Sequence, residues 1–254
     1  MTILAATPAG SVPTGATRRY TVHIATEGAR VRDAQALRHR VFAGELGAVL
    51  HTPEPGFDID PFDADCDHLV ILTDDDEVVG TYRMLPPGRR EKLYADGEFD
   101  LRGLAPLRPG LVETGRSCVH PDHRTGAVIN LIWQGIARYM HLHDHRWLIG
   151  CASVPLDDGG ATAAGVWELT RRRNLAPPAW RVSPRNPWPT ATAALTDRRA
   201  SMPPLLKGYL RLGAWVCGPP AHDPDFDVAD FLVLLGLDRV DPRRSRSAPR
   251  TSGR

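Results

Sequence analysis

One stretch, residues 111–140, constrains the fold of this chain more than any other part of the sequence. It begins with an apolar run, 111–119, that contains two opposite charges, Glu113 and Arg116. A polar turn follows, and after Gly126 apolar residues recur at spacings of three and four, which predicts a helix. The stretch is therefore expected to form a strand, a turn and a helix. The unpaired backbone N–H groups at such a helix start can hold a phosphate or pyrophosphate.

The two charges in this strand allow two interpretations. A charge inside an apolar strand costs free energy unless it is paired or used in chemistry. Glu113 and Arg116 therefore form either a salt bridge in an ordinary α/β scaffold or part of a functional site. In the second case the two charged side chains face the group that the phosphate-bearing molecule carries into the site.

The composition is that of an ordinary globular protein. Of the 254 residues, 42% are hydrophobic and 24% are charged, which suits one domain with a sizeable core, or else two small ones. The net charge of +1 does not indicate nucleic-acid binding. The four cysteines are scattered and form no CxxC pair, so neither a zinc site nor a disulfide framework is predicted. This cysteine usage, and the lack of a signal peptide or a spanning apolar run, indicate a cytoplasmic protein.

The two ends of the chain differ from the rest in composition. Residues 1–18 are rich in Ala, Thr, Pro and Gly, and are predicted to be a flexible segment. Residues 241–254 are predicted to be a disordered tail, since residues 242–254 contain five arginines and no acid. This tail is either simply solvated or a surface for acidic lipid or an acidic protein, which would give peripheral membrane contact. The folded domain would span residues 19–240.

Residues 19–240 alternate between strand and helix patterns. Strands are predicted at 19–26, 68–72, 78–85, 111–119, 146–155, 214–217 and 231–237, and helices at 31–46, 94–104, 128–140, 161–173 and 203–212. Residues 175–200 are Pro-rich and predicted to be irregular. The mixture of hairpins and helical crossovers predicts a single α/β domain, with a mixed central sheet and helices on both faces.

A loop rich in acid and proline, residues 51–67, lies between the first helix and the hairpin. Asp60 and Asp63 are among its carboxylates. The composition is typical of a solvated surface loop, and a cation-binding face is the alternative.

Three weaker motifs have a structural and a functional interpretation each. His141, His143 and His145 can cap a helix end or offer two metal ligands on one face, and the cap is favoured. Cys118 is either a small buried side chain or a nucleophile, although no base is well placed for the second role. The arginines at 171–173 are either a solvated helix end or a grip for an acidic carrier protein.

Five segments, taken in order, carry a resemblance to a known family. They are RHRVF (38–42), DIDPFDADCDHLV (58–70), VVGTYRMLPP (78–87), ETGRSCVHPDHR (113–124) and the segment 203–235, which begins PPLLKGYLRLG. The chain resembles the GNAT-fold ornithine–acyl-carrier-protein N-acyltransferases, also called haemolysin-like acyltransferases, and more distantly the N-acyl-homoserine-lactone synthases. The homoserine-lactone relatives carry a tryptophan where this chain has Leu46-Gly47, which favours the lipid-forming branch.

The resemblance implies a role for each matching position. Glu113 and Arg116 are the catalytic candidates, Glu113 as the group that either accepts a proton from the attacking amine or orients its ammonium form. A substrate cleft and its supporting loop would be formed by Arg38, Phe42, Asp60, Asp63 and Arg83. The acyl donor and its pantetheine arm would be bound by Cys118, Val119, Arg124, Thr125, Gly126, Ala127 and Val128. The last five stand where GNAT proteins carry a Q/RxxGxG/A loop, which is degenerate here.

The function implied by the resemblance is amide formation from a thioester. A (3-hydroxy)fatty acyl group would pass from acyl carrier protein to the α-amine of ornithine and give lyso-ornithine lipid. The donor would enter between strands 111–119 and 147–154. No metal and no tightly bound cofactor would be needed, since the acyl carrier protein thioester is a co-substrate. Two alternatives stay open: transfer from acyl-CoA or to another amine, including S-adenosylmethionine, and a non-enzymatic domain that binds acyl chains or a partner.

Overall fold

The computed structural model describes residues 2–7, 19–26, 28–189 and 202–239. The helices are α1 (Ala29–His39), α2 (Gly126–Leu142), α3 (Ala161–Arg173) and α4 (Pro204–Arg211). The strands are β1 (Thr2–Thr7), β2 (Tyr20–Ala25), β3 (Asp67–Thr73), β4 (Val78–Leu85), β5 (Phe99–Asp100), β6 (Leu111–Val119), β7 (Trp147–Pro155), β8 (Ser183–Pro184), β9 (Trp215–Val216), β10 (Ala221–Asp223) and β11 (Val228–Gly236). Within these residues, no helix combines the length and apolar character that crossing a membrane requires.

Most predicted elements are present, and β6 and α3 have the predicted bounds. The short irregular helix predicted at 94–104 takes the form of two 3₁₀ segments, Tyr94–Asp96 and Arg102–Gly110, on either side of β5. The second segment contains Pro106 and Pro109, which have no backbone N–H to donate to an α-helical ladder.

The ends of the chain are described only in part. Residues 2–7 form β1, which pairs antiparallel with β2, whereas the sequence predicted a flexible segment over 1–18. Residues 8–18, the tail 241–254 and residues 190–200 of the Pro-rich stretch lie outside the described residues.

The helix predicted at 31–46 changes its winding partway. After His39, α1 continues as a π-helix, Arg40–Glu45. The N–H of Leu46 donates to the carbonyl of Val41 at 3.0 Å, a step of five residues. A π-helix contains one extra residue in a turn and occurs frequently at functional sites.

The chain divides into two units, and the first comprises Met1–Leu93 and Val112–His145. Its strands follow the order β1-β2-β3-β4-β6, and each neighbouring pair is antiparallel. Helix α2 packs closely on one face of this sheet. A Cβ built at Gly135 of α2 would lie 2.6 Å from Leu69 of β3 and 2.9 Å from Val22 of β2, so only glycine allows this approach.

Helix α1 lies on the opposite face of the same sheet. Its Arg38 bonds to Asp63, and the backbone carbonyl of Asp63 lies 3.2 Å from Nε2 of His68 on β3. His68 and Leu69 are neighbours in one strand, so their side chains point to opposite faces. Leu69 contacts α2, and the face of His68 is therefore the one that α1 covers.

The second unit comprises Tyr94–Leu111 and Arg146–Arg254. Strand β11 lies between β7 and β10 and also pairs with β9, and all these pairs are antiparallel. All nine residues of β11 are buried. The short strands β5 and β8 form a separate pair.

Candidate active site

The first unit contains a buried cluster of ion pairs between α1 and the acidic loop. Arg38, at the end of α1, is fully buried, at 0% exposure. Its Nη1 donates to Oδ1 of Asp63 at 3.1 Å and its Nη2 to Oδ2 at 2.6 Å, which is a two-point pair. Arg38 also donates to the backbone carbonyl of Asp58, and its Nε lies 2.8 Å from Oδ2 of that residue. One arginine therefore holds two positions of the loop.

Two further arginines reach the same loop from the sheet. Nη1 of Arg83 on β4 lies 2.5 Å from Oδ2 of Asp60 and 2.9 Å from Oδ1 of Asp63. Arg116 on β6 lies 3.2 Å from Oδ2 of Asp58 through Nε and 3.3 Å from Oδ2 of Asp60 through Nη2. We call the six residues Arg38, Arg83, Arg116, Asp58, Asp60 and Asp63 the ion-pair cluster. Its formal charges balance, which is the condition for keeping charges away from water.

The carboxylates of Asp60 and Asp63 stay ionised well below neutral pH, because the pKa of each is lowered. Burial acts to raise the pKa of Asp63, but the hydrogen bonds and charge of Arg38, together with Arg83, outweigh burial and hold that pKa well below its ordinary range. Burial likewise opposes the lowered pKa of Asp60, which the charge and hydrogen bond of Arg83 produce. Burial acts to lower the pKa of Arg83, and Asp60 outweighs it and raises that pKa.

The acidic loop is therefore not the solvated surface that its composition suggested. Asp58, Asp63 and Asp67 are buried, at 3%, 6% and 4% exposure. Asp67 lies outside the ion-pair cluster and accepts hydrogen bonds from Arg89 and from the hydroxyl of Tyr139. Arginines from three other elements offset the cost of burying these carboxylates, and sequence composition does not show such pairing.

Glu113 and Gly115 share a face of the sheet with Arg83. In the β4–β6 ladder, Leu85 pairs with Glu113 and Arg83 with Gly115, and residues directly opposite each other project to the same side. Glu113 is buried, at 6% exposure. A Cβ built at Gly115 would meet no heavy atom within 4 Å. Gly115 is therefore an open position, with unfilled space beside it, and it lies between Glu113 and Arg116 along the strand.

A β-bulge turns Arg116 toward this face. The register shifts between Thr81, which pairs with Cys118, and Arg83, which pairs with Gly115, so β6 carries one extra residue there. Arg116 itself has a φ of 50°, in the left-handed region. In a regular strand Arg116 would point away from its neighbour Gly115. The bulge instead brings its guanidinium to Asp58 and Asp60, and bulges commonly re-aim a side chain in this way.

Cys118 does not have the properties of a thiolate nucleophile. Burial raises the pKa of its thiol to about 12, so the thiol stays protonated at neutral pH. Burial also raises the pKa of the Cys66 and Cys217 thiols to about 12. All three are best described as small buried side chains.

The backbone N–H groups of Cys118 and Val119 point in opposite directions. The N–H of His120 donates to the carbonyl of Val79 at 2.8 Å, so the pair formed by His120 and Val79 is hydrogen-bonded. Hydrogen-bonded and non-hydrogen-bonded pairs alternate in an antiparallel ladder. The pair of Cys118 with Thr81 is then hydrogen-bonded, and the N–H and carbonyl of Val119 point away from β4. The carbonyl of Val119 accepts from Nε of Arg124 at 3.1 Å, which agrees with this direction.

Five of the seven predicted donor-binding residues, Arg124 to Val128, lie at the start of α2, and the other two, Cys118 and Val119, lie at the end of β6. Thr125 caps the helix and accepts from the N–H of Val128 at 3.4 Å. Arg124, Thr125, Gly126 and Ala127 are exposed and Val128 is buried. Both terminal nitrogens of Arg124 bind the carboxylate of Glu45, each at 2.6 Å. The hydrogen bond to Glu45 raises the pKa of Arg124 and lowers the pKa of Glu45, so both are charged at neutral pH.

The other motifs have simple structural roles. His143 lies at the end of α2 with its ring 4.7 Å from that of Tyr139, which fits the predicted cap. Arg171 and Arg172 are exposed and bind Glu168. In the described part of the chain, one grouping has the spacing of metal ligands, the carboxylates of Glu98, Asp223 and Asp230 in the second unit, within 4.8 Å of one another. The thiol of Cys151 donates to Glu98 and the hydroxyl of Ser153 to Asp230, so protein groups already serve two of these carboxylates.

The sequence pointed to five of the six residues of the ion-pair cluster. It did not point to Asp58, or to two residues that bind near the cluster, Gln35 and Glu45. Asp58 lies inside a segment that carried the family resemblance, and it binds both Arg38 and Arg116. Gln35 donates to Asp63 at 3.0 Å, and its position one turn before Arg38 was a usable signal. Glu45 had no such signal, since its partner Arg124 is 79 positions away in the sequence.

This sheet and its site define an acyltransferase of the GNAT class. Residues 37–134, which include all six members of the ion-pair cluster and Glu113, match the family model described as an acetyltransferase (GNAT) domain. The L-ornithine N(alpha)-acyltransferase of Brucella abortus is 34% identical over 87% of this chain and 86% of its own length. That of Rhodobacter capsulatus is also 34% identical, over 88% of this chain and 92% of its own length. The chain belongs to the L-ornithine N(alpha)-acyltransferase family.

Solved structures show the same fold at low sequence identity. The CoA-dependent acyl-homoserine lactone synthase BjaI is 16% identical, covers 89% of each chain and has a TM-score of 0.53. FeeM, an N-acyl amino acid synthase from uncultured soil microbes, is 13% identical, with coverage of 87% of this chain and 93% of its own and a TM-score of 0.53. These structures confirm the predicted fold class, and the family match and the L-ornithine N(alpha)-acyltransferase relatives confirm the predicted enzyme class. The roles of individual site residues stay predictions.

Proposed function

We propose that this enzyme transfers a (3-hydroxy)fatty acyl group from acyl carrier protein to the α-amine of L-ornithine and so forms lyso-ornithine lipid. The observation that carries the proposal is the open position at Gly115, between buried Glu113 and Arg116, in a chain whose relatives are named L-ornithine N(alpha)-acyltransferases. The amine nitrogen attacks the thioester carbonyl, the carbon–sulfur bond breaks, and the thiol leaves with a proton. Both substrates need mainly to be held together and shielded from water.

Glu113 is the proposed proton acceptor. An α-ammonium group cannot attack until it has lost a proton, and a buried carboxylate beside the open position can accept it directly or through one water. Arg116 is the most exposed arginine of the cluster, with 15% of its side chain exposed, and would bind the carboxylate of ornithine. Asp60, the most exposed aspartate at 12%, would face the cationic groups of the acceptor.

The remaining cluster residues would support the site from behind. Arg38 and Asp63 are buried and bind each other at two points, and Arg83 binds Asp60 and Asp63. A substrate would have to break those pairs in order to reach them. Phe42, buried on the π-helix, packs one turn after Arg38 and would help to shape the same wall. These four residues would therefore position Asp60 and Arg116.

The donor would lie along the end of β6 and the start of α2. The N–H of Val119 points away from β4, so it can polarise the thioester carbonyl and stabilise the oxyanion, whereas the N–H of Cys118 serves the ladder. The phosphate of the pantetheine arm would meet the N–H groups of Gly126 and Ala127 and the guanidinium of Arg124. The acyl group stays on the donor until the amine attacks, so no covalent enzyme intermediate is required.

The test is an assay with defined donors and a panel of amines. The purified protein is mixed with 3-hydroxyacyl carrier protein and ornithine, lysine, glutamine, glycine or S-adenosylmethionine, and the products are read by mass spectrometry. We expect N-acyl-ornithine. Acylation of a different amine would overturn the acceptor. Turnover with acyl-CoA and none with acyl carrier protein would overturn the donor.

A further inference from the structure

Glu45 binds the guanidinium of Arg124, which is the group that the proposed function assigns to the donor phosphate. Arg124 lies directly before Thr125, the residue that caps α2. Its two terminal nitrogens each bind one carboxylate oxygen of Glu45 at 2.6 Å, and its Nε binds the carbonyl of Val119 at 3.1 Å. The forked edge of the guanidinium, which suits a bidentate phosphate contact, is thus already filled by a carboxylate.

Glu45 belongs to the helix that carries Arg38. It is the last residue of the π-helix Arg40–Glu45, which follows α1 without a break. The Arg124–Glu45 pair therefore ties the helix of the ion-pair cluster to the start of α2. It does so near the surface, because 44% of the Arg124 side chain and 34% of the Glu45 side chain are exposed. A pair this exposed is weak enough for another anion to displace it.

The charge of Glu45 opposes any anion at the same place. The hydrogen bond from Arg124 lowers the pKa of Glu45 against the effect of burial, so the carboxylate is ionised at neutral pH. A phosphate at the start of α2 would meet this negative charge and would find Arg124 already bound. Donor phosphate and Glu45 cannot both use the forked edge of one guanidinium.

We infer that Glu45 is an internal competitor for the donor phosphate. It holds Arg124 while the donor site is empty, and the phosphate of the arriving phosphopantetheine displaces it. Donor binding then breaks the contact of the π-helix end with α2. Glu45 thereby sets the affinity for the phosphate-bearing donor and has no part in the acyl transfer itself. This inference rests on the proposed position of the donor phosphate.

The experiment compares Glu45→Gln with wild type in binding 4′-phosphopantetheine and unphosphorylated pantetheine by calorimetry. Glutamine keeps the size of the side chain and removes its charge. The variant should bind phosphopantetheine about two- to fivefold more tightly, the factor expected when an exposed ion pair no longer has to be broken. Pantetheine, which lacks the phosphate, should bind equally to both proteins. With acyl carrier protein as donor, KM for the donor should fall by the same factor while kcat stays unchanged.

Glu54→Gln is the matched control. Glu54 makes the same kind of exposed two-point pair, with Arg32 of α1, at 2.8 and 2.6 Å. Arg32 lowers the pKa of Glu54 in the same way, but Glu54 has no contact with α2 among the interactions of the described residues. Its substitution should leave both affinities unchanged.

The inference is overturned if Glu45→Gln binds phosphopantetheine no more tightly than wild type, or gains equally for pantetheine. Arg124→Gln should weaken binding of phosphopantetheine, and adding Glu45→Gln to it should give a smaller gain than the same substitution gives in the wild-type background. Should the Glu45→Gln protein lose its fold, Glu45→Asp, which shortens the side chain and loosens the pair, must show an intermediate gain. These binding results do not depend on acyl transfer, so failure to acylate ornithine would overturn the proposed function separately.

Discussion

Arg38 and Asp63 form a two-point ion pair from which water is excluded, since the arginine side chain has no exposed surface and that of the aspartate is 6% exposed. Replacing Arg38 by methionine keeps much of its volume but leaves the charges of Asp58 and Asp63 poorly compensated. We expect a loss of about 3–5 kcal/mol in the free energy of unfolding, measured with denaturant. Arg32→Met on the exposed side of the same helix should cost less than about 1 kcal/mol. Equal losses at both positions would contradict the importance of the buried pair.

The same pair should make stability depend on pH in the acid range. The pKa of Asp63 is about 3.8 in an unfolded chain and lower in the folded protein. As the pH falls through the pKa that Asp63 has in the unfolded chain, the unfolded state binds more protons than the folded state does. The folded state therefore loses stability in this pH range. The contribution is complete above about pH 5 and decreases progressively below it.

Asp63→Asn tests this dependence. The free energy of unfolding of the variant should be lower at pH 7 and should change less between pH 5 and pH 3 than that of wild type. Asp122, which is exposed and has no pairing with the cluster, provides the control variant Asp122→Asn. Parallel curves for wild type and Asp63→Asn would show that Asp63 does not cause the acid sensitivity.

Removal of the Glu113 carboxylate should affect chemistry far more than folding. Glu113→Gln keeps the shape of the side chain and cannot accept a proton. We expect kcat to fall by about 10²–10⁴-fold, the range typical of a lost general base, with an unchanged melting temperature. Glu77→Gln, at an exposed position beside β4, should retain full activity. Turnover of Glu113→Gln near that of wild type would remove Glu113 from the mechanism.

Two glycines offer opposite expectations for the same kind of substitution. Gly115→Val should leave the fold intact, because a Cβ there meets nothing within 4 Å, but should raise KM for the acceptor by filling the open position. Gly135→Ala should destabilise the protein by about 1–3 kcal/mol, because its Cβ would press on Leu69 and Val22. Steady-state kinetics and thermal unfolding of both variants separate the two effects. An unchanged KM for Gly115→Val would place the acceptor elsewhere.

The sequence predicted the elements around the site better than the interactions within it. The periodicity of β6 and α2 is local, and a window of residues shows it directly. The pairing of Arg38 with Asp63 joins residues 25 positions apart, and composition alone suggested that the loop carrying Asp63 was solvated. The family resemblance supplied the association of these residues, and the structure supplies the distances.

Two local irregularities had no signal in the sequence. The π-helix at Arg40–Glu45 follows a pattern that also fits a regular α-helix. The bulge at Arg116 needs the partner strand to reveal it, because one extra residue is recognised only when the register on both sides is known. Both lie beside the ion-pair cluster, and the positions of Glu45 and Arg116 follow from them.

The bulge divides β6 into two segments whose side chains alternate out of phase. Glu113 and Gly115 before the bulge and Cys118 after it lie on one face of the sheet. In a regular strand, Cys118 would lie on the other face, because it is three residues from Gly115. Loss of a single residue, such as Ser117, would leave Gly115 and Cys118 on one face through regular alternation, but it would remove the bulge and point Arg116 away from Asp58 and Asp60. The length of this strand is therefore as essential to the enzyme as the identity of its charged residues, and a one-residue deletion should disable a protein that tolerates many substitutions.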